Sequence, residues 1–90
     1  MRKVKINVYG KVQGVGFRFL TMMLANELDI TGSVQNKDDS SVYIEAIGSD
    51  QKVQTFISKI EKSLGRASRV DEVVVTDDEE IIDRNKFIIL

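Results

Sequence analysis

The 90-residue chain contains no cysteine and no histidine. Without cysteine there is no disulfide, no thiolate nucleophile, no iron–sulfur cluster and none of the usual structural zinc sites. Without histidine the chain lacks the side chain that titrates nearest neutral pH and the commonest metal ligand. Any catalysis must therefore proceed without an imidazole base. Proline is absent too, so no helix kink or cis-proline step is implied. No apolar run approaches the roughly 20 residues that span a bilayer. The first residues, Met1-Arg2-Lys3-Val4-Lys5-Ile6, alternate charge with apolar character and do not form a signal-peptide core. The expectation is a soluble, cytoplasmic protein with no membrane association, and the absence of cysteine suits a reducing compartment. The net charge of −1 offers no broad basic surface, and nonspecific nucleic-acid binding needs one because phosphate neutralisation supplies most of that affinity.

What is present is an ordinary globular mixture, 42% apolar and 30% charged, which argues against disorder. The length suits one domain over residues 1–90, with one core and room for one site. Val4, Ile6 and Val8 alternate with Lys3, Lys5, Asn7 and Tyr9, so the chain opens with a strand that buries one face and ends at Gly10. From Phe17 the period lengthens. Phe17, Leu20, Leu24 and Leu28, with Ala25 beside them, predict an amphipathic helix to about Asp29. A second strand is predicted from Ile30 to Gln35, a turn over Asn36-Lys37-Asp38-Asp39-Ser40, and a third strand from Val42 to Ile47, ending at Gly48. Ser49 or Asp50 caps a second helix whose stripe is Val53, Phe56, Ile57, Ile60 and Leu64, with Gly65 as its stop. A fourth strand follows from Val70 to Thr76. The acidic run Asp77-Asp78-Glu79-Glu80 reads as a solvated loop, and Phe87 to Leu90 as a short last strand. This β-α-β-β-α-β order predicts an α/β (α+β) ferredoxin-like sandwich, with both helices on one face of a mostly antiparallel sheet.

The segment between the first strand and the first helix carries the chemistry. Its glycines stand at 10, 14 and 16. A dinucleotide fingerprint would need glycine at position 19, which is Phe19, and a Walker A loop would need Gly-Lys-Ser/Thr. Both nucleotide motifs fail. Two glycines at i and i+2 still let successive backbone N–H groups turn to one point, which makes a nest for an anion at a helix N-terminus. Arg18 lies in the first turn of that helix, where the helix dipole disfavours a cation unless an anion joins it. Its planar fork matches phosphate oxygens.

The run Gly10-Lys11-Val12-Gln13-Gly14-Val15-Gly16-Phe17-Arg18 resembles the signature of the acylphosphatase family, Gly-Arg-Val-Gln-Gly-Val-Gly-Phe-Arg. Gly32-Ser33-Val34-Gln35-Asn36 and then Asp39 resemble its second block, Gly-x-Val-x-Asn-x-x-Asp-Gly. The likeness is firm over residues 4–48 and looser through Gly65, Val70 and Phe87. It implies the ferredoxin-like fold and metal-independent hydrolysis of acyl phosphates to a carboxylate and inorganic phosphate. It implies a phosphate site over Gln13, Gly14, Val15, Gly16, Phe17 and Arg18, with Arg18 and Asn36 catalytic. Arg18 would bind the phosphoryl group and Asn36 would position the attacking water. Neither a cofactor nor a metal is expected, and the implied partner is a small acyl phosphate met by a monomer. Three positions depart from the family pattern. Asp29 and Ser40 replace glycines, and Ser33 replaces an aromatic residue. Nothing in the sequence marks a pocket for the acyl group, which predicts broad specificity. Two other readings stay open on the same fold class: a module that only binds a small anion or a partner strand, and an acylphosphatase-like domain serving a larger carbamoyl-transfer protein. An RNA-recognition module is disfavoured by the charge and by the lack of paired sheet aromatics.

Overall fold

The computed structural model describes residues 1–90. The elements are β1 (Arg2–Lys11), α1 (Phe17–Glu27), β2 (Thr31–Asn36), β3 (Val42–Gly48), α2 (Asp50–Glu61), β4 (Arg69–Asp77) and β5 (Phe87–Ile89). The five strands form one sheet in the order β4-β1-β3-β2-β5. Every pairing is antiparallel except that of β5 with β2, which is parallel. The α+β, ferredoxin-like arrangement expected from the hydrophobic periodicity is the one observed.

The alternation in β1 does what a period of two requires: Val4, Ile6 and Val8 are fully buried. They pack with Val34 of β2, with Val42, Ile44 and Ala46 of β3, and with Phe87 of β5. Phe17, Leu24 and Ala25 of α1, and Val53, Phe56, Ile57 and Ile60 of α2, enter the same core, so both helices cover one face of the sheet. Phe56 meets Phe87 edge to face at a centroid distance of 6.2 Å. Fully burying one such side chain contributes about 1.5–3 kcal/mol, so this core is what holds the sheet register and the start of α1 in place.

The helix ends differ from expectation, for local reasons. The first helix stops at Glu27, two residues early. Asp29 takes the left-handed conformation (φ 55°), the Ile30 N–H bonds the Ala25 carbonyl at 2.8 Å and the Asp29 N–H bonds that of Asn26 at 3.3 Å. This is a Schellman cap with aspartate where glycine is usual. Asp tolerates that conformation better than most residues, and its carboxylate also meets Lys52 at 2.9 Å. The second helix stops at Glu61, because Ser63 turns left-handed (φ 69°) and bonds Ile60. Leu64 lies beyond the helix yet still packs on the core. Asn36, expected in the turn, is instead the last residue of β2 and pairs with Val42.

Gly32 sets how closely β2 approaches β3. Its φ is +139°, and a Cβ there would lie 1.8 Å from the Glu45 carbonyl oxygen, which is backbone and cannot yield. Gly32→Ala is expected to destabilise the fold by about 3–5 kcal/mol, from overpacking plus strain, as read by urea denaturation. A loss below 1 kcal/mol would show that β2 can shift to make room.

Candidate active site

The chain leaves β1 through Val12, which is buried, and then turns sharply at Gly14 (φ 74°) and Gly16 (φ 78°). A Cβ at either glycine would meet nothing within 4 Å, so the left-handed backbone, not crowding, demands glycine there. The N–H groups of Gln13, Gly14, Val15 and Gly16 donate to no backbone acceptor in the fold. The first N–H groups of α1 continue this row of free donors, since a helix offers them no internal partner.

The two helix starts make the point by contrast. At α2, Ser49 caps the helix by accepting from the Lys52 N–H at 3.3 Å, and Asp50 places a negative charge in the first turn. At α1 the cap is Gly16, no side chain accepts from the helix, and the first turn has no acidic residue. Arg18 stands there instead. It pairs with no Asp or Glu side chain, unlike Arg2 and Arg69, which meet Asp77 and Asp71 at 3.0 and 2.9 Å. Its one contact is a long hydrogen bond, 3.5 Å, from Nη1 to the Leu90 carbonyl. Free donors, a positive dipole end and an unpaired guanidinium therefore meet in one place, which is where an anion gains most.

Sheet register brings Asn36 to that place. Val42 of β3 is flanked by Val8 of β1 on one side and by Asn36 of β2 on the other. The loop that follows β1 and the end of β2 thus emerge at the same edge of the sheet. Strand β5 runs parallel to β2, with Ile89 opposite Val34, so its far end arrives there as well. The result is a cavity of about 180 Å³ lined by Gly14, Gly16, Phe17 and Arg18 from the loop and α1, by Asn36 from β2, and by Ile89 from β5. This is several times the space one water occupies. The Asn36 side-chain oxygen is buried and accepts no hydrogen bond. An orphaned acceptor of this kind costs about 1–3 kcal/mol, which a donor bound to the amide would recover. A half-turn about χ2 exchanges the two ends of the amide, so it can present an acceptor or a donor. A larger groove of about 460 Å³ lies between α1 and the segment after α2, but it holds no buried side-chain polar atom without a partner. Nowhere in the fold do three His, Cys, Asp or Glu side chains cluster as metal ligands would.

The acylphosphatase family model matches residues 4–89. The chain belongs to the acylphosphatase family. It is 46% identical to the acylphosphatase of Enterococcus faecalis over 97% of this chain and 96% of that protein. It is 45% identical to that of Oceanobacillus iheyensis over the same shares. Among solved structures, the acylphosphatase from Bacillus subtilis superposes with a TM-score of 0.94 at 33% identity, covering 100% of this chain and 99% of the other.

Two departures from the acylphosphatase pattern now have a physical reading. Asp29 and Ser40 occupy left-handed backbone (φ 55° and 74°), so this chain forces ordinary residues into conformations that glycine adopts freely. The turn at Ser40 is held by its surroundings. Lys37 N–H bonds the Ser41 carbonyl at 2.8 Å, and the Asp39 carboxylate accepts from the Ser41 N–H at 3.0 Å and from its hydroxyl. The bonds from Ser41 hold the Asp39 carboxyl below the usual carboxylate range, so the turn keeps this anchor at neutral pH and loses it only as pH falls through that lowered value. Ser33 is buried in the sheet between Glu45 and Ile88.

Of the expected phosphate residues, Gly14, Gly16, Phe17 and Arg18 line the cavity, whereas the side chains of Gln13 and Val15 do not. The Gln13 amide reaches across instead. Its Nε2 donates to the carbonyls of Lys37 and Ser41, both at 2.8 Å, and so ties the glycine loop to the turn that follows Asn36. Residues 24 and 28 positions away gave no local sign of this brace. Gln13→Met keeps the length and removes both donors. It is expected to cost about 1–2 kcal/mol in urea denaturation, at about 1 kcal/mol per bond, with little change in phosphate affinity by calorimetry. A variant with intact stability and lost phosphate affinity would make the side chain itself the ligand.

Proposed function

We propose that this chain hydrolyses small acyl phosphates at the cavity between the Gly14–Gly16 loop and Asn36. The reading rests on one observation: the unpaired Arg18, the free loop donors and the unsatisfied Asn36 amide share a single cavity. The free N–H groups and the Arg18 fork hold the oxygens of the phosphoryl group and offset the charge that spreads over them in the transition state. The Asn36 amide holds a water in line with the bond to be broken. Water oxygen bonds to phosphorus as the phosphorus–oxygen bond to the acyl group breaks. The carboxylate departs with the electron pair, and the water's proton passes to a phosphoryl oxygen.

No cavity side chain can act as a strong base at neutral pH, since the lining residues include no His, Asp, Glu or Lys. The chemistry tolerates this because a carboxylate is a good leaving group. Positioning and charge stabilisation are what phosphoryl transfer asks of a protein. The chain is taken to act as a cytoplasmic monomer on a small molecule and without nucleic acid. Its net charge of −1 supports the last point, and no helix is long and apolar enough to cross a membrane.

The test is release of phosphate from acetyl and benzoyl phosphate with a chelator present. Turnover well above the spontaneous rate is expected, unchanged by the chelator. Phosphate binding without turnover would leave an anion-binding module. Arg18→Lys keeps the charge but loses the fork, and kcat/KM is expected to fall roughly 100-fold, the loss of one or two charged hydrogen bonds. Asn36→Ala is expected to lower kcat by about 100-fold while competitive inhibition by phosphate stays nearly intact, as misplacing the water requires. Equal losses in turnover and in phosphate inhibition would remove the water-positioning role.

A further inference from the structure

Two large apolar side chains line the cavity outside the hydrophobic core. Phe19 is 54% exposed and Ile89 is 40% exposed, and both line the same space as Arg18 and Asn36. They come from opposite ends of the chain. Phe19 is the third residue of α1 and lies off the buried stripe of Phe17, Thr21, Leu24 and Ala25. Ile89 ends β5, two residues after the buried Phe87, and so lies on the helix-covered side of the sheet but outside the core. Single exposed apolar residues are commonplace on protein surfaces. Two that line one anion site, with the apolar Val12 and Phe17 beside them, form a wall. The same cavity has one charged residue, Arg18, which the phosphoryl group engages.

We propose that Phe19 and Ile89 bind the acyl group, and that this chain prefers acyl phosphates whose acyl part is uncharged, apolar and at least the size of an aromatic ring. The assignment rests on the hydrolase reading above and narrows its substrate class, against the broad specificity that the sequence predicts. An apolar acyl group covers Phe19 and Ile89 and gains from the area removed from water. A small acyl group such as acetyl has little apolar area with which to cover them. An acyl group with a second carboxylate meets no second cation there and must lose hydration without a partner.

The experiment compares kcat/KM of the full chain for benzoyl, acetyl and succinyl phosphate, then repeats it with Phe19→Ala and Ile89→Ala. Benzoyl phosphate is expected to exceed acetyl phosphate by about tenfold or more, the discrimination an apolar contact typically supplies, with succinyl phosphate lowest. Each variant is expected to pull the benzoyl-to-acetyl ratio down severalfold, chiefly through KM for the benzoyl substrate. Competitive inhibition by inorganic phosphate is the readout that a general loss of structure would move and a lost acyl contact would not. Both side chains are exposed, so the variants are expected to melt within a few degrees of the parent. A parent ratio near one, or variants that slow both substrates in parallel, would overturn the acyl wall while leaving the hydrolase reading intact. A parent that hydrolyses none of the three would overturn the hydrolase reading itself.

Discussion

Val42 is flanked in the sheet by Val8 on one side and by Asn36 on the other, and the site depends on that row. Strand pairing has a period of two, so slipping β2 by one residue against β3 would turn the Asn36 side chain to the other face of the sheet. The core prevents the slip. Val34, two residues before Asn36, is fully buried between the helices and the sheet, and a slipped register would carry it out to the open face. The Gln13 brace then fixes the loop after β1 against the turn after β2. Hydrophobic burial sets the register, the register sets where the strands end, and the strand ends set which loop faces which amide.

The electrostatics follow from what the site leaves undone. Most buried or structured backbone donors in a folded chain are paired, yet the row from Gln13 to Gly16 is not. They belong to loop residues that are exposed or half-buried, so the stability lost is modest. A side-chain cap would have satisfied some of them, as Ser49 does at α2, but it would also have filled the place where the phosphoryl oxygens bind. Arg18 follows the same logic. A carboxylate beside it would stabilise the free protein and compete with the substrate.

Much of this was legible in the sequence, and the exceptions have a common cause. The strands of alternating pattern, both apolar helix stripes, the glycine loop and the first-turn Arg18 all lie in short windows, where periodicity and spacing carry information. Asn36 was recognisable through its block but was placed in the turn, because Asn-Lys-Asp-Asp-Ser is turn-like in composition and only the pairing with Val42 extends β2 that far. Asp29 and Ser40 were visible as departures, but not as left-handed residues held by a Schellman cap and by a turn tied through Ser41. The Gln13 brace and the placing of Phe19 and Ile89 on one cavity were not legible at all. Both join residues far apart in the chain, and the second depends on the parallel pairing of β5 with β2, which no local pattern encodes.

A site built largely from backbone donors has a particular sensitivity to mutation. The N–H groups that hold the anion survive almost any side-chain change, and only residues that alter φ and ψ disturb them. Gly14 and Gly16 show this well. Each has open space where a Cβ would go, so substitution there meets no clash and acts through the left-handed φ alone. Such strain is of order 1–3 kcal/mol, small against the core but comparable to a hydrogen bond to a charged group. The loop would relieve it by re-aiming its N–H groups at the expense of the anion, and the fold would survive the change better than the activity. The absence of histidine belongs to the same design. The work is divided between rigid backbone, one guanidinium and one amide, with no imidazole, carboxylate or ammonium side chain lining the cavity. Catalysis at this cavity should therefore show a flat pH dependence across the neutral range, limited at low pH by the substrate's own phosphoryl protonation.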